Sequence, residues 1–405
     1  MMWKLTKIWY RIFQFFFYKA CYLLIWRKPE IIRGPGSLSR LPAAIQARGV
    51  HKILVVTDPG LMSTGIPGRL CSALDAANIE YVLFDKVEAN PSIDTIEKVR
   101  AMYLDNKCQG FAAIGGGSSM DTAKAAGTRI ARPRKSLEKM GGFLKVGRKL
   151  PPLFMIPTTA GTGSETTIVA VVTDRKTQHK FAISDLHLIP HVAVLDPELT
   201  VGLPPAITAA TGMDAMTHAV ESYICQGVPG TCKRYSEDAV GRIVKNIEIV
   251  YKNGKDLKAR ESMLTASFYA GAAFTRAGLN YIHPIAHTMS GLYDEPHGRA
   301  NAVIMPYVLE YYGACVHKKL ARLAKAACLD IKGKSDAECA SAFIAEIRRL
   351  NHAMNIPDGF DFIKTEDIPR ICEWALHEAN PFYPVPKILG QEDMIVLVKQ
   401  IMLKK

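Results

Sequence analysis

A chain of 405 residues, 48% hydrophobic and 22% charged, has the composition of an ordinary globular protein of about two to three domains. Near-average glycine (30) and proline (23) exclude collagen-like and low-complexity chains. The net charge of +13 is a terminal feature: residues 1–40 hold eight basic groups and one acid, Glu30, and no nucleic-acid-binding motif accompanies them, which excludes a nucleic-acid partner. Residues 1–27, rich in Phe, Trp, Ile and Leu, are interrupted by Lys19 and carry no small-residue cleavage site, so neither a membrane span nor a signal peptide is expected. On a helix, Lys4, Lys7, Arg11, Gln14 and Tyr18 share one narrow stripe. That pattern predicts an in-plane helix at a membrane surface, the alternative being an arm packed on the body or on a partner subunit.

Pro29, Gly34, Pro35 and Gly36 end this segment. From 52 to 205, apolar runs (52–58, 80–85, 111–117, 153–159 and 170–174) read as buried strands, alternating with helical stretches such as 92–106 and 118–129. The alternation predicts a mostly parallel sheet covered by helices on both faces. After Pro204–Pro205 strand signals almost stop. Amphipathic stretches at 207–224, 233–251, 257–277, 300–312, 334–350 and 391–403 predict a helical bundle. The expected domains are an extension (1–40), an α/β domain (41–205) and a helical domain (206–405). Nine scattered cysteines, odd in number and without a CxxC, fit reduced thiols in the cytoplasm.

Two segments carry the signature of a phosphate-bearing ligand. GGGSSMDTAK (115–124) follows a strand and opens a helix, where glycines admit a phosphate and the helix amino end supplies N–H donors. PTTAGTGSE (157–165) is a second loop of small hydroxyl residues. Together they predict a dinucleotide crevice at the carboxyl ends of the strands. Asp58, ending the first strand, is placed to accept ribose hydroxyls and to repel a 2′-phosphate, favouring NAD(H). In the helical half, Asp214 and His218 are four residues apart, as are His283 and His287, and His297 follows ten residues later. This carboxylate-and-imidazole set predicts a divalent metal site, with Fe(II) and Zn(II) both open.

These motifs and GMDAMTHAVESY (212–223) and HPIAHTMSGLYDEPHG (283–298), in this order, resemble the iron-containing alcohol dehydrogenase family over about residues 50–405. The resemblance implies an amino-terminal α/β dinucleotide-binding domain and an all-α metal-binding domain, a dehydroquinate synthase-like fold, with the active site in the cleft. It implies Asp214, His218, His283 and His297 as metal ligands and His287 beside the nicotinamide and substrate. Asp58, Asn90, Gly116, Gly117, Ser118, Asp121, Thr158, Thr159, Thr162 and Lys180 match cofactor-lining positions. Glycerol dehydrogenases share the fold but lack a histidine matching His218 and use zinc, so His218 favours iron. A homo-oligomer is implied by the resemblance alone.

The expected reaction is metal-assisted hydride transfer between a small alcohol, or its aldehyde or ketone, and NAD(H), in the cytoplasm or at the inner face of the membrane through residues 1–27. The rival readings are a dehydroquinate synthase-type cyclase and a non-catalytic membrane-bound scaffold. Few basic residues in the helical segments weigh against the first, and the intact ligand set against the second. Two departures from the family pattern stand out: the extension itself, and NPFYPVPK (380–387) where members often read NPR.

Overall fold

The computed structural model describes residues 2–177 and 179–403. The chain forms two compact units, one of Trp26–Leu203 with Gly254–Phe268, the other of Met1–Ile25, Pro204–Asn253 and Tyr269–Lys405. The extension is thus divided: its helix α1 (Met2–Tyr22) groups with the helical unit, and the residues after Ile25 group with the α/β unit.

In chain order the strands of the α/β unit are β1 (Glu30–Arg33), β2 (Lys52–Val56), β3 (Glu80–Phe84), β4 (Gly110–Gly115), β5 (Gly142–Phe143), β6 (Leu153–Pro157), β7 (Val169–Asp174), β8 (His179–Ser184) and β9 (Val192–Leu195). Six of them make a parallel sheet in the order β1-β9-β6-β4-β2-β3. Successive side chains of a strand face opposite ways. Accordingly Leu54 and Val56 enter one apolar cluster, with Phe111, Val99 and Met120. Ile53 and Val55 enter another, with Ala112, Leu70 and Leu74. A sheet buried on both faces needs such continuous apolar strands. The covering helices are α2 (Leu41–Gln46), α3 (Pro59–Met62), α4 (Ile66–Ala76), α5 (Ile93–Asp105), α6 (Gly117–Ala131) and α7 (Leu137–Met140). Helix α5 starts where the Ser92 hydroxyl accepts from the Thr95 amide at 3.2 Å, relieving one unpaired N–H of the first turn.

The expected strand at 170–174 forms, but outside the parallel sheet. β7 pairs antiparallel with β8, and β5 adds to β8. The Asp174 carboxylate accepts from the Lys176 amide (2.9 Å) and the Thr177 hydroxyl (2.9 Å), which turns the chain back on itself. Sequence reading passed over β1, β5, β8 and β9, because strands of two to four residues and the polar alternation of HKFAIS give little signal.

The later helices are α8 (Pro205–Ile224), α9 (Gly230–Lys252), α10 (Leu257–Ala277), α11 (Ile282–Tyr293), α12 (His297–Tyr312), α13 (His317–Ala326), α14 (Asp336–Ala353), α15 (Ile368–Ala379) and α16 (Gln391–Gln400). Three of these, α11, α13 and α15, were not expected. Pro284 and Gly291 mask α11 as a loop, yet Pro284 stands in its first turn, where no intrahelical N–H bond is lost. No helix among the described residues is long and apolar enough to cross a membrane.

Helix α1 lies with its polar stripe inward. Gln14 is only 5% exposed and donates to the Pro381 (3.0 Å) and Tyr383 (2.7 Å) carbonyls. Arg11 donates to those of Val385 (2.7 Å) and Pro386 (2.9 Å). Phe13 and Phe17 meet the edge of Phe382. The stripe that the sequence pattern would turn to water is the one that packs on the body.

Candidate metal centre and cofactor loops

Three side chains of the helical unit bring their ligand atoms within 4.8 Å of one another: Asp214 on α8, His283 on α11 and His297 at the start of α12. Asp214 Oδ1 is 3.8 Å from His283 Nε2 and 3.6 Å from His297 Nε2. Asp214 and His283 are buried, while the His297 side chain is one-third exposed, so the cluster opens on that side. His218, one turn beyond Asp214 on α8, stacks its ring on His283 with centroids 4.5 Å apart and on Phe274 at 4.3 Å. His287, one turn after His283, stacks on His297 at 5.0 Å. The five residues singled out in the sequence therefore gather in one place.

Close helix packing makes this possible. A Cβ on Gly298 would stand 2.3 Å from the Ala210 carbonyl oxygen and 3.2 Å from Asp214 Cβ, so only glycine lets the start of α12 approach α8 this closely.

Three further residues, which sequence reading did not single out, set the chemistry. Glu221, on α8 and fully buried, faces His283 Nδ1 with Oε2 at 2.5 Å. Its Oε1 accepts from the amides of Ile282 (2.9 Å) and Asn280 (3.2 Å). Burial pushes the Glu221 carboxyl up, with the backbone N–H groups pulling the other way, and pushes the His283 imidazole well down. A neutral imidazole whose Nδ1 proton goes to Glu221 turns a lone pair at Nε2 toward Asp214 and His297. Glu378 holds His287 in a similar way, at 2.9 and 3.0 Å from Nδ1. Burial raises the Glu378 carboxyl, but the neighbouring imidazoles and the Tyr383 hydroxyl (3.0 Å) bring it below its ordinary value. Finally, Asn301 Nδ2 lies 2.8 Å from Asp214 Oδ1, 3.1 Å from His297 Nε2 and 3.3 Å from His283 Nε2. Three acceptors converge on an amide group that carries two protons, and the buried Asn301 Oδ1 has no hydrogen-bond partner. A site so short of positive charge suits a cation. Asp214, His283 and His297 offer the oxygen and nitrogen donors that Fe(II) or Zn(II) takes, and His218 stacks beside His283 without joining that group of three.

The expected cofactor residues lie in the α/β unit. β2 and β4 are neighbours whose onward connections leave in opposite directions; Asp58 follows the carboxyl end of β2, and Gly115 is the last residue of β4. Asp58 caps α3 through Oδ1, which accepts from the Leu61 amide at 2.9 Å. Gly115 has φ of +152°, and a Cβ there would stand 2.5 Å from Ser119 Oγ and 3.3 Å from Asp58 Oδ2. Gly116 is the N-cap of α6 and offers no side-chain cap, so the first amides, at Gly117 and Ser118, remain for an anion. A Cβ on Gly117 would meet the Thr162 methyl at 2.8 Å, which keeps the two loops close; Thr159 borders Gly116, and the Thr158 amide bonds the Gly115 carbonyl at 3.0 Å. A cradle that any side chain at 115 or 117 would fill fits a pyrophosphate. Asn90 and Lys180 are also brought together, Lys180 Nζ donating to Asn90 Oδ1 at 2.9 Å. Asp121 is turned inward: its carboxylate accepts from Ser164 Oγ (2.7 Å) and the Val171 amide (3.0 Å), bracing α6 against the second loop and β7. Beside it Lys124, also buried, spends its three donors on Thr167 and Val169, and desolvation pulls it down to about 8.

Residues 28–197 match the family model described as iron-containing alcohol dehydrogenase, and residues 208–402 match that of the family's C-terminal part. The chain belongs to the iron-containing alcohol dehydrogenase family. A 1,3-propanediol dehydrogenase of Klebsiella pneumoniae is 38% identical over 91% of this chain and 95% of that protein. An NAD-dependent methanol dehydrogenase of Bacillus methanolicus is 32% identical over 92% and 97%. The crystal structure of a 1,3-propanediol oxidoreductase superposes with a TM-score of 0.90 at 35% identity, covering 94% of this chain and all of the other. This member of the family is accordingly an oxidoreductase of the alcohol dehydrogenase class with an α/β and an all-helical unit. Helix α1 lies outside the residues that the family models match.

Proposed function

We propose that the protein is an iron-dependent, NAD(H)-linked dehydrogenase of small alcohols and the corresponding aldehydes or ketones. The observation that carries this reading is the convergence of Asp214, His283 and His297, with His218 and His287 stacked against them. A divalent ion there supplies Lewis acidity toward the substrate oxygen, and a nicotinamide supplies or accepts the hydride. Glu221 keeps His283 in the tautomer that leaves Nε2 as a ligand. Glu378 orients His287 through Nδ1, leaving Nε2 to exchange a proton with the substrate oxygen. The amino end of α6 binds the cofactor pyrophosphate, and Asp58 disfavours a 2′-phosphate. The names of the relatives support a small alcohol as substrate and NAD as cofactor. Nine free cysteines fit a reducing cytoplasm.

The test is an anoxic screen of NADH oxidation across short aldehydes and ketones with Fe(II) supplied. His283→Ala should lose both the bound metal and turnover while staying folded. Asp58→Gly should relax the preference for NADH over NADPH. A wild-type preference for NADPH, or normal metal content in His283→Ala, would overturn the assignments.

A further inference from the structure

The inward polar stripe of α1 leaves an unusual outer face. Leu5, Ile8, Trp9, Ile12, Phe15 and Phe16 are all exposed, Phe16 to 66%, on a helix whose buried residues are Gln14 and Cys21. Water disfavours so contiguous an apolar stripe, and such patches mark contact surfaces. Cations stand at both ends of the stripe. Lys4 is exposed in the first turn, whereas Lys7, on the inward stripe, is half-buried with its Nζ 5.1 Å from the centre of the Trp3 ring. In the last turn Lys19 Nζ lies 5.8 Å from the centre of the Phe15 ring. No carboxylate occurs before Glu30.

We propose that this face of α1 is an in-plane anchor for an anionic lipid surface. Aromatic and aliphatic side chains enter the boundary between headgroups and acyl chains. The lysines at the two ends reach lipid phosphates with their stems along the apolar face. Charge decides between lipid and a second copy of the chain. A two-fold contact through this face would bring Lys4 and Lys19 of one chain against those of the other, with no acid on the helix to answer them. An anionic surface answers both. The anchoring is independent of the proposed chemistry, since none of these side chains belongs to the metal cluster or the cofactor loops.

The experiment is flotation of the full chain with vesicles of phosphatidylcholine, alone and with about one-third phosphatidylglycerol, at low and high salt. Wild type should float with the anionic vesicles, and salt should weaken the association. The double variant Ile12→Glu/Phe16→Glu should lose at least about tenfold in partition with its thermal transition unchanged, because both side chains point away from the body. Tryptophan emission quenched by brominated anionic lipid gives a second readout on wild type alone. Wild type remaining in the soluble fraction, or equal flotation of wild type and variant, would overturn the proposal. So would a lipid-independent oligomer that the double variant dissociates, which would assign the face to a second copy.

Discussion

Replacing Glu221 by Gln changes one oxygen to an amide nitrogen and almost nothing in volume. In the native chain one carboxylate oxygen accepts from the Ile282 and Asn280 amides, and the other faces His283 Nδ1 at 2.5 Å. When a cation takes His283 Nε2, all three neighbours act as donors, and an ionised Glu221 meets them all. Glutamine offers only one acceptor oxygen. If that oxygen stays with the backbone, the NH₂ group faces Nδ1, the imidazole proton moves to Nε2, and that nitrogen is lost as a ligand. If the amide turns over, two buried backbone N–H groups lose their acceptor, at about 1–3 kcal/mol each. The first arrangement costs less. Metal affinity should therefore fall by about 10–100-fold, the range for lost support of a ligating histidine. Chelator competition with Zn(II), which is redox-silent, measures this directly, and calorimetry checks that the metal-free variant still unfolds cooperatively. A Gln variant that holds metal within about twofold of wild type would refute the tautomer argument.

Gly298→Ala puts a methyl 2.3 Å from the Ala210 carbonyl, so α12 must retreat; a stability loss of about 1–3 kcal/mol and weaker metal binding are expected from thermal melts and metal titration. The buried Glu165 carboxyl is raised from 4.5 to about 7 by desolvation, so the folded state holds its proton more tightly than the unfolded chain does. Its stabilising contribution is complete below about 4.5 and is lost as pH rises through about 7; Glu165→Gln should flatten this fall by ~2–3 kcal/mol in melts taken across that window. Gln14→Ala removes the donor to the Pro381 and Tyr383 carbonyls and should cost about 1–2 kcal/mol. It should also lower turnover while metal content stays unchanged, because Tyr383 supports Glu378.

What the sequence made legible follows the reach of local periodicity. Asp214 with His218 was readable because a spacing of four puts two side chains on one helix face, and His283 with His287 was singled out by the same spacing although α11 itself was not expected. Glu221 lies seven residues after Asp214 on the same face and was within reach of that argument. Asn301, four residues after His297 on α12, was within the same reach, whereas Glu378 was not, since only the packing of α15 brings it to His287. Gly115, Gly116 and Gly117 were readable as a cradle, whereas the inward turn of Asp121 depends on β7, a strand placed in the wrong sheet by an apolar run alone. For α1 the amphipathic pattern defined two faces and left open which one meets the body. An apolar stripe suggests burial, but a surface of main-chain carbonyls selects donors, and Arg11 and Gln14 supply them.

That choice of face joins the two departures from the family pattern. The carbonyls that receive Arg11 and Gln14 belong to Pro381, Tyr383, Val385 and Pro386, all within the divergent NPFYPVPK segment. The same segment gives the Tyr383 hydroxyl to Glu378, and Glu378 holds His287. A continuous run of hydrogen bonds and covalent backbone therefore links the helix to His287. Removing α1 would expose four carbonyls and uncover Phe382. The loss would fall on the segment that orients His287, and not on Asp214, His283 and His297. The extension, which carries no chemical motif, thus supports the segment that holds Glu378 and His287. A truncation that tests it has to end before Glu30, because a cut at Gly34 would also delete β1 from the edge of the parallel sheet.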